Sequence, residues 1–188
     1  MVGVTARLAS RNEHKVRELA RSLPDWQITT LGDVEFPPEG GATYYENALA
    51  KARFGRTLAA ADEWVLGEDS GIEAVALGGR PGINSARWGK PGSSVERLLA
   101  ELEGIADRRA RYVCDLVCLL PDNRELAGHG TLEGTVAEER RGSEGFGYDP
   151  VFVPIGETQT VAELGNDWKA EHSHRARAAT ALLDAVGR

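Results

Sequence analysis

Arg109 to Leu120 (RARYVCDLVCLL) and Arg124 to Ala137 (RELAGHGTLEGTVA), separated by Pro121-Asp122-Asn123, decide the fold. Both runs are long for strands, and the Pro-Asp-Asn between them is turn chemistry, so the pair reads as two long antiparallel strands. Alternation puts Tyr112, Cys114, Leu116 and Cys118 on one side of the first. The two cysteines then stand roughly 13 Å apart at 3.3 Å per residue, beyond the reach of a disulfide. They read as buried core thiols rather than as a metal or redox pair.

Outward from this pair, strand-like and helix-like segments alternate. Val2 to Ala9 reads as a buried strand and Asn12 to Leu23 as a helix with Val16, Leu19 and Ala20 inward. Trp26 to Leu31 is a strand. Thr43-Tyr44-Tyr45-Glu46 has capping-box spacing and opens a helix with Ala48, Leu49, Ala52 and Leu58 as its apolar stripe. Trp64 to Gly67 is a short strand running into Glu68-Asp69-Ser70-Gly71. After the Gly/Pro-rich stretch from Gly78 to Gly92, a helix runs from Ser93 to about Glu103. Val151 to Pro154 is a further strand, and a last helix starts at Ser173 and passes through Leu183. With no repeat and no linker, residues 1–188 form one α/β domain with a central mixed sheet flanked by helices.

Bulk properties narrow the class. A chain of 188 residues, 41% hydrophobic and 27% charged, is globular in composition. Its longest apolar stretch, Tyr112 to Leu120, is broken by Asp115 and too short to span a bilayer. Arg7 interrupts the first ten residues and no cleavage site follows, so the expected address is the cytoplasm. A net charge of −7 argues against wrapping a nucleic-acid backbone. It leaves nucleotides open, since a few local cations and helix N-termini hold those.

Five segments are able to carry chemistry. Ser10-Arg11-Asn12, with Lys15 one turn on, sits where a strand becomes a helix; Asn12 is a good N-cap and the first turn offers N–H groups to an anion. The same residues suit a plain helix start. Glu68-Asp69-Ser70-Gly71, read at a strand's carboxyl end, offers hard oxygen ligands to a divalent cation or simply an acidic turn. Glu35, Glu39 and Glu46 lie on the approach to it; Glu46 is discounted as a helix cap, and Pro37-Pro38 stiffen the loop carrying the other two. In Glu144 to Pro150 (EGFGYDP), Phe146 between glycines offers a stacking face for a base. Lys169 with Ser173-His174-Arg175 sets cations against a helix dipole, which asks for an anionic or carbonyl-rich ligand.

In this order these segments resemble the inosine/xanthosine triphosphate pyrophosphatase family. The matching stretches are Ala9 to Asn12 with Lys15, Thr43 to Ala52, Glu68 to Trp88, Gly145 to Pro150, and Lys169 with Ser173-His174-Arg175. The resemblance implies hydrolysis of the α–β phosphoanhydride of ITP, dITP and XTP with Mg²⁺. It implies an elongated fold with two lobes around a nucleotide cleft, and a homodimer. By position it makes Asp69 the general base and a metal ligand, and Glu35 the second metal-binding acid. Ser10, Asn12, Lys15, Ser70 and Lys169, together with Arg11, match phosphate and sugar contacts. Phe146, Gly147, Tyr148, Asp149, His174 and Arg175 match the base pocket. Glu68 stands where many members have Asp, and the residues around Lys169 (Asn166 to Trp168, and His172) are unusual. A Maf-type pyrophosphatase and a nucleotide sensor without turnover are the rival readings.

Overall fold

The structure is a computed structural model that describes residues 3–187; Val2, placed by the sequence at the start of the first strand, lies outside them. Six strands form one sheet in the order β2-β1-β3-β4-β5-β6. They are β1 (Val4–Leu8), β2 (Trp26–Thr30), β3 (Trp64–Ala74), β4 (Arg109–Leu119), β5 (Glu125–Val136) and β6 (Phe152–Pro154). β1 pairs in parallel with both β2 and β3, and every pairing from β3 to β6 is antiparallel. Helices α1 (Glu13–Ser22) and α2 (Tyr44–Arg56) make the two crossovers that parallel pairing requires. The mixed α/β sheet expected from the sequence is therefore present.

β3 differs most from its expected length. It does not stop at Gly67 but runs eleven residues to Ala74, paired with β4 from Val65↔Leu119 to Ala74↔Ala110. The acidic motif thus lies in mid-strand, and alternation sends Glu68 and Asp69 to opposite faces of the sheet. They are not neighbouring ligands for one ion. The sequence hid this because charged residues in a central strand break the apolar pattern by which a buried strand is recognised.

On one face the side chains of β3 read Leu66, Glu68, Ser70, Ile72, Ala74. Leu66 joins a core cluster with Leu8, Leu19, Leu116, Cys118 and Leu182 beneath α1 and α5 (His174–Val186). Ile72 and Ala74 join a second cluster with Leu98, Tyr112, Leu132 and Phe152, closed by α3 (Ser94–Glu101). Glu68 and Ser70 fall at the seam between the two. Cys114 and Cys118 are free and buried on this face, as the alternation implied.

On the opposite face α2 covers Val65, Val117 and Leu119 with Ala48 and Ala52, both fully buried. α2 ends at Arg56, so Leu58 is exposed instead of completing the stripe. A fifth helix, α4 (Val161–His172), was not expected; it is broken at Gly165 (φ 86°), which with Asn166 and Asp167 reads as a loop. It carries Lys169. Caps expected at Asn12, Thr43, Ser93 and Ser173 are all made. Glu46 reaches back one residue further than a strict capping box, accepting from the Ala42 N–H at 2.6 Å.

Gly67 fixes how close α2 comes to the sheet: a Cβ there would lie 1.9 Å from the Ala48 carbonyl oxygen and 2.6 Å from the Ala52 nitrogen. Gly67→Ala is expected to cost about 3 kcal/mol, lowering Tm by roughly 6–12 °C. Gly40→Ala, which meets no atom within 4 Å, is the control and leaves Tm unchanged in the same calorimetric scan.

Candidate active site

The seam on the first face is filled by charge. Glu68, 1% exposed, accepts from Arg175 Nη2 at 2.8 Å and Nε at 3.2 Å through Oε1, and pairs through Oε2 with Lys15 Nζ at 2.5 Å. Lys15 comes from the first turn of α1 and Arg175 from the first turn of α5, so both helices aim their N-terminal ends at this strand. Arg175 also donates to Ser70 Oγ at 2.9 Å and to Glu18, which in turn takes Lys169. Burial pushes the Glu68 carboxyl up, but Lys15 and Arg175 outweigh it and hold the group well below its ordinary value. Glu18 is lowered in the same way by Arg175 and Lys169 against burial. The cations at the mouth of α5 therefore have carboxylate partners as well as a helix dipole to oppose.

Beside this cluster opens a cavity of about 300 Å³, lined by Asn12, Lys15, Ser70, Phe146 to Asp149, Lys169, His174 and Arg175 among others. All of these came from four separate segments of sequence. Asp149 is the hub of its floor: Oδ1 accepts from the Tyr112 hydroxyl at 3.1 Å, and Oδ2 from the Phe146 N–H at 2.8 Å and Lys169 Nζ at 2.6 Å. Burial outweighs Lys169 and raises the Asp149 carboxyl. The His174 ring stacks on Tyr112 with centroids 4.5 Å apart, and its Nδ1 is buried without a partner among the described residues. Burial, reinforced by Arg175 and Lys169, holds that imidazole far below its usual range, so it is neutral at pH 7. Phe146 is half-buried at the cavity's edge, with His14 beside it at 5.1 Å.

Asp69 works on the other face. Its Oδ2 accepts from Asn47 Nδ2 at 3.1 Å and its Oδ1 from Lys51 Nζ at 2.8 Å. Lys51 also pairs with Glu39 Oε1 at 2.5 Å, and Glu39 Oε2 takes Arg87 Nη1 at 2.5 Å. Burial raises the Asp69 carboxyl despite Lys51, and nearby Glu68 adds to the rise. Glu39 moves the other way, burial being outweighed by Lys51 and Arg87. A second cavity of about 460 Å³ opens here, and it shares Asn12, Lys15 and Ala86 with the first. Ser10 and Arg11 line it too. Around the shared neck the two form a bent cleft.

Glu35, expected as the partner of Asp69, is not brought beside it by this arrangement. It is exposed, lines neither cavity and has no ion pair among the described residues, whereas Glu39 is joined to Asp69 through one ammonium. Pro37, Pro38 and Glu39 all line the second cavity. The donor set suits magnesium: two carboxylates with a cation already between them, leaving positions for water and phosphate oxygens. Among the described residues no three His, Cys, Asp or Glu side chains converge. Lys51, Asn47 and Glu18 escaped the sequence reading. Asn47 and Lys51 sit four apart, interleaved with the buried Ala48 and Ala52, and that polar interruption of a buried face is the signal that marks them.

The profile of the Ham1 family matches residues 6–185. The chain belongs to the Ham1 family. Among its relatives, a dITP/XTP pyrophosphatase of Deinococcus deserti is 43% identical over 180 residues, covering 93% of this chain and 86% of the relative. Another of the same name from Symbiobacterium thermophilum is 44% identical over 185 residues, covering 94% and 92%. In three dimensions the Staphylococcus aureus Ham1 protein superposes with a TM-score of 0.83 at 33% identity, covering 97% and 98% of the two chains. A nucleoside-triphosphatase / dITP/XTP pyrophosphatase from Mycobacterium abscessus does so with 0.70 at 36% identity, covering 89% and 93%.

In this Ham1 chain the lowered Glu68 and Glu18 carboxyls tie stability to pH. Each is lowered from an ordinary 4.5, so its contribution is complete above about pH 5 and is lost as pH falls toward the folded value. Wild-type Tm is expected to fall between pH 5 and pH 3. Glu68→Gln leaves Lys15 and Arg175 without their carboxylate; it should cost about 3–5 kcal/mol at pH 7 and flatten that acid slope. Calorimetry at pH 7, 5, 4 and 3 measures both.

Proposed function

We propose that this chain hydrolyses dITP, ITP and XTP between the α and β phosphates, giving the nucleoside monophosphate and pyrophosphate with Mg²⁺ bound by Asp69 and Glu39. The observation that carries the proposal is the cleft itself. An apolar, stacking cavity and a cation-lined cavity meet at Asn12 and Lys15, and the buried Asp69 is hydrogen-bonded to Asn47 and Lys51, which line the second. The names of the relatives agree with it.

The base occupies the first cavity, with Phe146 along its edge and the His174–Tyr112 stack in its wall. Hypoxanthine and xanthine present a carbonyl at position 6, and a neutral His174 offers an N–H to it. Arg175 does less at the base than its sequence position suggests. Of its five N–H donors, four are already committed to Glu18, Glu68 and Ser70. It holds the pocket in shape instead. An adenine amino group facing a donor leaves buried polar groups mismatched, which discriminates by roughly 10⁴–10⁵ in well-built sites.

The α-phosphate lies at the neck, where Lys15 and the first-turn N–H groups of α1 take its charge. When bound, magnesium neutralises phosphate oxygens and lowers the pKa of a bound water. Asp69 orients the attacking water and accepts its proton; the burial that raises its carboxyl makes it a better base. Lys51 and Asn47 hold it in place.

A homodimer working in the cytoplasm completes the proposal. Val75 and Ile155 are 53% and 76% exposed in a groove that also carries Glu73, Glu133, Arg109 and Arg111, a self-complementary set suited to a two-fold interface. Free buried Cys114 and Cys118 suit a reducing compartment.

Product analysis on ITP, XTP, dITP, ATP and UTP tests the function. Pyrophosphate and monophosphate are expected from the first three at least about 10²-fold faster than from the others, and only with Mg²⁺. Asp69→Asn should lower turnover about 10²–10⁴-fold with Tm retained. Release of orthophosphate, or ATP cleaved as fast as ITP, contradicts the proposal.

A further inference from the structure

Gly165 breaks α4 with a φ of 86° and a ψ of 177°, a backbone that glycine alone adopts readily. In an unbroken helix the Asn166 N–H would donate to the Ala162 carbonyl four residues back. The break takes that bond away, and Gly165 has no side chain with which to cap the half-helix that follows. Glu144 takes up both ends. Its own N–H donates to the Ala162 carbonyl at 3.3 Å, and its Oε2 accepts from the Asn166 N–H at 2.9 Å and from Asn166 Nδ2 at 2.7 Å. The carboxylate lies over the buried Gly165, where an added Cβ would stand 3.2 Å from Oε2. A residue of a separate loop thus carries α4 across its break and sets a negative charge at the N-terminal end of the second half.

Both sides of this bridge lead to the first cavity. Three residues past Asn166, Lys169 donates to Asp149 Oδ2 at 2.6 Å and to Glu18, and its Nζ lies 4.8 Å from the centre of the Phe146 ring. Two residues past Glu144, the Phe146 N–H donates to the same Asp149 oxygen at 2.8 Å. Phe146 has a glycine on either side, so its ring is placed by what anchors the loop rather than by the stiffness of the chain around it. Glu144 joins the loop bearing the ring to the half-helix bearing the ammonium.

We propose that Glu144 is a positioning residue for the base pocket, acting through Phe146 and Lys169 without touching the nucleotide. This rests on the pyrophosphatase reading above, in which the base lies against Phe146. The base is held alike in the bound substrate and in the transition state. Loss of the bridge therefore weakens binding and leaves the chemical step unchanged.

Three variants of the full chain test this. Glu144→Ala removes the acceptor, and Glu144→Gln keeps an oxygen for the Asn166 N–H. Asp167→Asn removes an equal charge from the same helix end, where Asp167 meets only Arg21 at 3.6 Å among the described residues. In the nucleotide-free protein, amide hydrogen exchange over 166–169 should quicken about fivefold or more in Glu144→Ala while the amides of β4 stay unchanged. Calorimetric titration should show IMP binding weakened about fivefold or more, and KM for ITP should rise by the same factor with kcat within about twofold. Glu144→Gln and Asp167→Asn should stay within about twofold of wild type in each measurement. An IMP affinity within about twofold of wild type in Glu144→Ala overturns the proposal, as does an equal loss in Glu144→Gln or Asp167→Asn. So does a fall in kcat with KM unchanged, or weaker IMP binding with exchange over 166–169 unaltered. Failure of the reaction reading shows elsewhere, as no pyrophosphate released from ITP by the wild type, and the exchange measurement needs no nucleotide.

Discussion

Glu68 is a buried carboxylate in the middle of a central strand, and its pairing with Lys15 and Arg175 is the constraint on which the rest of the structure depends. An unpaired charge there costs several kcal/mol, so the strand is stable only while two cations reach it. Each of those cations sits in the first turn of a helix. Satisfying Glu68 therefore fixes where α1 and α5 begin, and with them Asn12 and His174. The ion cluster also divides one face of the sheet into two apolar clusters and leaves a polar seam between them. The cavity of about 300 Å³ lies along that seam.

Because β3 is extended at this point, the next residue faces the other way. Asp69 then shares its environment with α2 and with the loop bearing Glu39, and the neck at Asn12, Lys15 and Ala86 joins the two cavities. In the proposed reaction, one strand thereby serves base recognition on one face and phosphate chemistry on the other. Opposite electrostatics follow from the partners: two cations press the Glu68 carboxyl down, while burial and Glu68 itself push that of Asp69 up. In the proposed reaction the first is a fixed counter-ion and the second the proton acceptor.

Much of this was legible in the sequence where local rules decide. The long β4–β5 pair followed from alternation and a Pro-Asp-Asn turn, and the helix starts at Asn12, Thr43, Ser93 and Ser173 from their capping side chains. Tertiary pairing decided the rest. β3 continues past Gly67 only because distant Lys15 and Arg175 make a buried Glu68 tolerable. α4 forms around a glycine that local propensity reads as a break. Glu35 and Glu39 are indistinguishable by composition, and it is the second that Lys51 pairs with. Glu18 looked like one more charged residue of α1, although it faces inward beside Leu19 to meet Lys169 and Arg175.

The central claim is that water attacks the α-phosphorus at the neck between the two cavities, beside Asp69. Hydrolysis of ITP in ¹⁸O-enriched water, followed by mass spectrometry of both products, tests it most directly. The expected result is one ¹⁸O atom in IMP and none in pyrophosphate. Label in pyrophosphate would place the attack on the β-phosphorus and contradict the assignment of neck, base and leaving group together.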